Sequence, residues 1–233
     1  MANYTFDEAI TVVKAFVKNA PTTSMQTVAC DQAYSRIWFA YPWEWTLGAL
    51  TAIPLVDGTQ DYTVSNNDFF KLVEARITRT DLTPDEYQEL NILEFMPPEL
   101  AIKIGWQNFQ SISRDPRSAK LRLEAAASVP SGVTMQIDGV YQKYPAKLTA
   151  TTGNLVSPDY HFQTFLDWLT YYFYKFTDDS RAGGVAVSKA TGEKTYSGQL
   201  AVAMDSLTTM IATEDARDGT GYLFPDNPLG AAG

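Results

Sequence analysis

The chain has 233 residues, 45% hydrophobic and 19% charged, with a formal net charge of −9. This length and apolar fraction suit one large domain, or a core with an inserted subdomain, and exclude disorder of the whole chain. The excess of carboxylates repels phosphate and no long Lys/Arg run offsets it, which excludes tight non-specific binding to nucleic acid.

The single cysteine, Cys30, permits neither an intramolecular disulfide nor a multi-cysteine zinc site, and it suits synthesis in a reducing cytosol. The start Met1-Ala2-Asn3-Tyr4 has no basic flank and no apolar run, so no signal peptide is expected. No apolar stretch reaches the roughly 18–20 residues that span a bilayer. The aromatic run from Phe162 to Phe176 is broken by Gln163, Asp167 and Lys175 and reads as buried helix, so no membrane contact is expected.

In chain order, Thr5-Phe6-Asp7-Glu8 fits a capping box. It predicts a helix carrying Ile10, Val13, Phe16 and Val17, ended by Asn19 and Pro21. A second helix is predicted from near Ser24, with Met25, Val28, Ala29, Ala33, Ile37 and Trp38 as its stripe. Pro42 stops it, because proline has no amide donor and disfavours helix at the residue before it. The short link predicts an antiparallel helical hairpin.

From about Leu47 to Lys143 the pattern turns to β. Ala52–Val56, the turn Asp57-Gly58 and Asp61–Val64 read as a hairpin, with Pro54 confining its first strand to a sheet edge. Phe69–Thr78 and Glu89–Phe95 are further strands. Leu121, Leu123 and Ala125 alternate with Lys120, Arg122 and Glu124, and Val133, Met135 and Ile137 with Thr134, Gln136 and Asp138. Pro130-Ser131-Gly132 turns between them. Strict alternation buries one face and wets the other, which predicts an antiparallel sheet or small sandwich.

Helix returns at Ser157-Pro158, a serine cap followed by proline at the first helical position. Phe162, Phe165, Leu166, Leu169, Tyr172, Phe173 and Phe176 give it a broad apolar face. It is expected to end around Thr177–Arg181, and Gly183-Gly184 marks a break. A fourth helix follows over Tyr196–Thr213, in a register that can start as early as Val185. From Asp218 to Gly233 the density of glycine and proline forbids helix or central strand. Tyr222, Leu223, Phe224 and Leu229 punctuate this stretch, which reads as an extended arm that orders on a partner, reaching at most about 50 Å at roughly 3.3 Å per residue.

The expected fold is α+β: a four-helix bundle made of two helical hairpins (1–45 and 155–217), an inserted antiparallel β subdomain (46–154) and an extended C-terminal arm (218–233).

Little in the chain promises catalysis. His161 is the sole histidine, no Gly-x-Ser-x-Gly elbow accompanies it, and it reads as a surface or capping residue. A histidine-based metal site needs more ligands of that type. The carboxylate clusters Asp178-Asp179, Glu214-Asp215 and Asp81, Asp85, Glu86 fall at helix ends and in loops and read as solvated. Asp85 and Glu86 after Pro84 suit the start of a short helical turn, and Asp178-Asp179 wants a cation such as Arg181 or a neighbouring subunit. Gly183-Gly184 and Gly192-Glu193-Lys194-Thr195 do not make a phosphate loop. Cys30, beside Ala29 with no basic neighbour, reads as a small buried hydrophobe. Trp38, Trp43 and Trp45 read as core or hinge anchors or as interface residues, the other reading being a platform for stacking sugars or bases. Arg114, Arg117, Lys120 and Arg122 form a basic cluster that reads as a solvated sheet face or as a docking patch for an acidic neighbour. No cofactor is expected.

The run Ile37-Trp38, then Tyr41-Pro42-Trp43-Glu44-Trp45-Thr46, resembles the tryptophan-proline segment of phage head–tail connector or adaptor proteins. Similar to the same family are the Asp57-Gly58 turn with Gln60-Asp61-Tyr62, the stretch Tyr141-Gln142-Lys143-Tyr144-Pro145-Ala146-Lys147-Leu148-Thr149, and the helix opened by Ser157-Pro158-Asp159-Tyr160 and closed by Asp178-Asp179. The resemblance runs from about Thr5 to Thr213, and the order of these motifs is its specific part. It implies a virion structural protein without enzymatic activity, made in the bacterial cytoplasm. Such a protein forms a ring of its own copies, commonly a dodecamer, beneath the portal protein, extends the DNA channel and docks tail proteins. It also implies a portal-binding role for the C-terminal arm, with Tyr222, Leu223, Phe224, Pro225 and Leu229 as its contacts. DNA would pass through without sequence-specific binding. The alternatives are another neck or tail structural protein, or a carbohydrate-binding or hydrolytic tail-associated module.

Overall fold

The computed structural model describes residues 4–83, 85–93, 104–105, 111–114, 120–189 and 191–218. Contacts divide them into two units: Pro42–Ala146, and the residues up to Tyr41 together with those from Lys147.

In the first of these, eleven strands follow in chain order: β1 (Leu47–Ala49), β2 (Ile53–Pro54), β3 (Asp61–Thr63), β4 (Phe69–Arg79), β5 (Glu86–Glu89), β6 (Asn91–Leu93), β7 (Ile104–Gly105), β8 (Ser111–Arg114), β9 (Lys120–Leu123), β10 (Ala127–Ser128) and β11 (Met135–Lys143). One sheet has the order β1-β11-β4-β5, with β2 beside β1 on the edge of β11 that β4 leaves open. A second has the order β3-β9-β8-β6, and its β6–β8 pair is parallel. A short parallel pair, β7 and β10, stands apart.

The alternation read from the sequence sets the core. Met135, Ile137, Ala75 and Ile77 from the first sheet meet Ile112, Leu121, Leu123 and Tyr62 from the second in one buried cluster. Burying a side chain of this size stabilises by about 1.5–3 kcal/mol. Asp61 and Arg122 sit opposite one another in the β3–β9 register and close it with two hydrogen bonds of 2.6 and 2.9 Å. Gly139 lets β11 come close to β4: a Cβ there would lie 2.1 Å from the Glu74 carbonyl oxygen, just before the register shift at Val140/Tyr141.

The other unit holds α1 (Phe6–Phe16), α2 (Thr23–Trp38), α3 (Phe162–Phe176), α4 (Gly198–Asp218) and a hairpin of β12 (Val185–Val187) and β13 (Lys194–Tyr196). The capping box at α1 forms: the Glu8 amide donates to the Thr5 hydroxyl at 3.1 Å, and the Thr5 amide donates to the Glu8 carboxylate at 2.7 Å. α3 is the hub, and α1, α2 and α4 each pack on it. Phe165, Trp168, Leu169 and Phe173 are its innermost residues.

The expected four-helix bundle with one inserted antiparallel subdomain is therefore corrected to a sheet-rich mixed fold, in which the described residues hold thirteen strands. Two physical reasons stand out. The apolar face of α3 is broad enough for three helices: α4 packs on it as expected of a helical pair, while α1 and α2 pack on α3 rather than chiefly on one another. The β region makes two sheets with parallel as well as antiparallel pairs, and a further hairpin forms between α3 and α4.

Several finer expectations change too. The Asp57-Gly58 turn exists but joins no hairpin. It passes the chain from β2, which pairs with β11, to β3, which pairs with β9, and the turn is held by Gly58 N–H donating to the Ala127 carbonyl at 2.7 Å. Pro54 lies on an edge strand as its missing donor requires. The stripe of α2 is rotated: Met25 and Val28 are exposed, while Gln26 is buried with its side-chain amide on the Pro21 carbonyl at 2.6 Å. α3 starts one turn late, after a 3-10 turn at Asp159–His161. The stretch from Val185 is strand rather than helix. α4 continues through Asp218, so that residue leaves the expected arm, and the rest of the arm, including Tyr222, Leu223, Phe224, Pro225 and Leu229, lies outside the described residues.

Candidate functional site

The residues singled out from the sequence do not converge. Trp38 is buried on α2, its ring edge-on to Tyr34 at 5.5 Å. In the other unit Trp43 is 2% exposed and stacks on Trp45 at 6.4 Å, ahead of a 3-10 turn at Glu44–Thr46. Buried rings such as Trp38 and Trp43 give no open face on which a sugar or base can lie.

The basic cluster is partly committed within its own unit. Arg122 holds Asp61, and Arg114 donates to the Phe70 carbonyl with its guanidinium 5.6 Å from the centre of the Phe69 ring. Lys120 is exposed on β9, and Arg117 lies outside the described residues.

The carboxylates scatter. Asp81 pairs with Arg79 at 2.9 Å. Asp179 pairs with Arg181, whose hydrogen bonds pull its carboxyl down to about 2, and the guanidinium lies 4.4 Å from the Tyr174 ring centre. The cation expected for Asp178-Asp179 is thus found for Asp179, in the same chain. Glu86 opens strand β5 where a short helical turn was expected. Among the described residues no three His, Cys, Asp or Glu side chains gather to hold a metal, and no helix is long and apolar enough to cross a membrane.

His161 departs from its expected place on the surface. It is 1% exposed, with Nε2 3.3 Å from Glu214 near the end of α4. One residue further on, Asp215 accepts a hydrogen bond from the Tyr41 hydroxyl at 2.7 Å. The last turns of α4 are thereby tied both to the chain just after α2 and to the turn that opens α3. This double tie was illegible in sequence, since neighbours in space are 53 and 174 residues apart.

Cys30 is buried and its thiol is pushed up to about 12, chiefly by burial and further by the charges of Asp7 and Asp31. The thiolate is the reactive form. We expect the native protein at pH 8 to resist a thiol-specific reagent that labels it at once in denaturant; fast labelling of the folded chain would show that the buried face of α2 is not covered at this side chain.

Two surface features were not foreseen. The first is the β12–β13 hairpin. Gly183 sits at its base with φ +75°, and a Cβ there would lie 1.8 Å from the Ser197 carbonyl oxygen. Only glycine fits that approach. Ser197 N–H donates to the Gly184 carbonyl at 3.0 Å and its hydroxyl accepts from Gly184 N–H at 3.1 Å. Val185 stands opposite Tyr196 and Val187 opposite Lys194, so these four side chains share one face. The readable signal was two valines alternating after Gly183-Gly184, and a β-prone Lys-Thr-Tyr run after Gly192.

The second is a groove of about 450 Å³ between α3 and α4, lined by Tyr160, Thr164, Asp167, Val202, Asp205, Ser206, Thr209, Met210 and Thr213. Asp167 accepts from Gln163 at 3.0 Å, and burial raises its carboxyl above the ordinary range. In the sheet unit, an open trough of about 870 Å³ lies against β4, β5 and β11, where Arg76 stands in register between Asp138 and Glu89. In the groove the Ser206 hydroxyl is hydrogen-bonded to the Asp167 carboxyl and lies 2.9 Å from the Thr164 hydroxyl, and no histidine lines either surface among the described residues. Compared with known proteins, the chain matches no family model and no curated protein.

Proposed function

We propose that this chain is a structural protein of a tailed phage particle, a head-to-tail adaptor that works as one member of a ring. The observation that carries the reading is the number of large apolar side chains left in water on separate elements: Phe16 at 73% exposure, Val187 at 56%, Val185 at 51%, and Met25, Val28, Tyr87 and Val202 above 40%. Apolar side chains exposed singly are ordinary; on this reading, those that fall together on one element, such as Val185 and Val187 on β12 and Met25 and Val28 on α2, belong to surfaces that partners cover. A ring subunit needs two such surfaces, one toward each neighbour.

Two further observations support it. The end of α4 is tied by Tyr41–Asp215 and His161–Glu214, which fixes the point from which residues 219–233 continue. Those residues are the ones whose composition suits an arm that orders on a portal protein, and many copies acting together multiply a weak contact. The net charge of −9 suits a channel through which DNA slides without sticking.

The test is removal of residues 219–233. The truncated chain is expected to keep its circular dichroism spectrum and its unfolding midpoint while failing to join filled heads in an assembly assay. Normal attachment by the truncated protein refutes the arm, and a view of the purified particle with this chain anywhere but the head–tail junction refutes the adaptor reading.

A further inference from the structure

We propose that the β12–β13 hairpin of one copy seats in the α3–α4 groove of a second copy, so that copies join head to tail. The proposal rests on the adaptor reading for the closure of a ring, but the contact itself stands on the two surfaces.

A two-stranded hairpin is marginal alone in water, yet this one is pinned at its base by Gly183 and Ser197 and shows Val185, Val187 and Lys194 to solvent. Its exposed face is apolar with one cation at the edge. The groove is the complement: Val202 is 49% and Tyr160 53% exposed, and the carboxylates Asp167 and Asp205 line it, with no lysine or arginine among its lining residues. Burying the valines against Val202 and Tyr160 removes apolar surface from water on both sides. Placing Lys194 beside Asp205 then fixes the register, since charge complementarity sets orientation and excludes wrong partners. Hairpin and groove are different surfaces of one chain, so the contact is heterologous. Such contacts give a ring when the rotation closes and a filament when it does not.

The experiment uses full-length chains, in which Cys30 is buried and silent. Val187→Cys is introduced into one preparation and Val202→Cys into another, and the two are mixed under mild oxidation. A disulfide demands a close approach of the two Cβ atoms, so the mixed dimer is expected to dominate over both homodimers. Lys194→Glu in the first chain should abolish it, and Asp205→Lys in the second should restore it. Equal yields of mixed and like dimers overturn the proposal, as does a yield indifferent to Lys194→Glu. A cross-link from Val202→Cys to Leu223→Cys in place of Val187→Cys assigns the groove to the C-terminal segment and overturns it too. A mixed dimer from a protein absent from the particle neck sinks the adaptor reading and leaves this contact standing; neck location without the mixed dimer does the reverse.

Discussion

Trp168→Ala is expected to cost about 3–5 kcal/mol, the range for removing a large aromatic from a core. Trp168 is 1% exposed at the middle of α3, the helix on which α1, α2 and α4 all pack. Arg36 lies over its ring at 5.3 Å, a contact that would be lost with it. Domains of this kind keep only about 5–15 kcal/mol in reserve, so the variant should unfold at a visibly lower urea concentration. A second substitution separates shape from polarity. The indole N–H of Trp168 is buried without a hydrogen-bond partner among the described residues, and leaving such a donor unmet costs about 1–3 kcal/mol. Trp168→Phe keeps most of the ring and removes that donor, so it should be far milder than the alanine. If both variants unfold alike, or if alanine costs less than about 1 kcal/mol, α3 is not the hub on which the helices are built.

Gly139→Ala is the second large effect. The added methyl would lie 2.1 Å from the Glu74 carbonyl oxygen and 3.1 Å from its carbon, both main-chain atoms of the paired strand. A flexible side chain could swing away, but a backbone carbonyl inside a ladder moves only if β4 and β11 part. These are the longest strands and carry Ile77, Met135 and Ile137 into the shared core. The cost should reach or exceed the roughly 1–3 kcal/mol typical of overpacking. Gly184→Ala is the control, since its Cβ would meet nothing within 4 Å. Amide exchange read along β11 should rise sharply in the first variant and stay unchanged in the second. Unchanged protection in Gly139→Ala would mean that the strands are not so closely paired there.

Much of the fold was legible where a local rule and the tertiary outcome agree. The capping box at Thr5 and Glu8, the Pro42 stop, the strand over Phe69–Thr78 and the buried faces of Leu121, Leu123, Met135 and Ile137 depend on neighbours within a few residues. What failed was pairing. A turn such as Asp57-Gly58 names a reversal of the chain, but which strand each arm joins depends on Ile137 and Leu121, more than sixty residues away in the sequence. The pairing of α1 with α2 failed for a related reason: their short link suggested a hairpin, while the apolar breadth of α3 drew both of them to it along with α4. The hairpin at Val185 was missed because valine also fits a helical stripe, and the preference of β-branched residues for strands was outweighed by the pattern downstream. The groove could not be read from composition, because Tyr160, Asp167, Val202 and Asp205 meet only once α3 and α4 lie side by side.

The helices that share α3 come from opposite sides of the sheet unit in the sequence, and this has a temporal consequence. On the ribosome, α2 emerges with Ala33, Tyr34, Ile37 and Trp38 ready to be buried, yet α3 is made roughly 120 residues later, about 6–25 s at ordinary elongation rates. During that wait the nascent chain carries a naked oily flank. Slower translation, or loss of a chaperone that shields emerging segments, should therefore lower the yield of this protein more than that of one whose helices are contiguous.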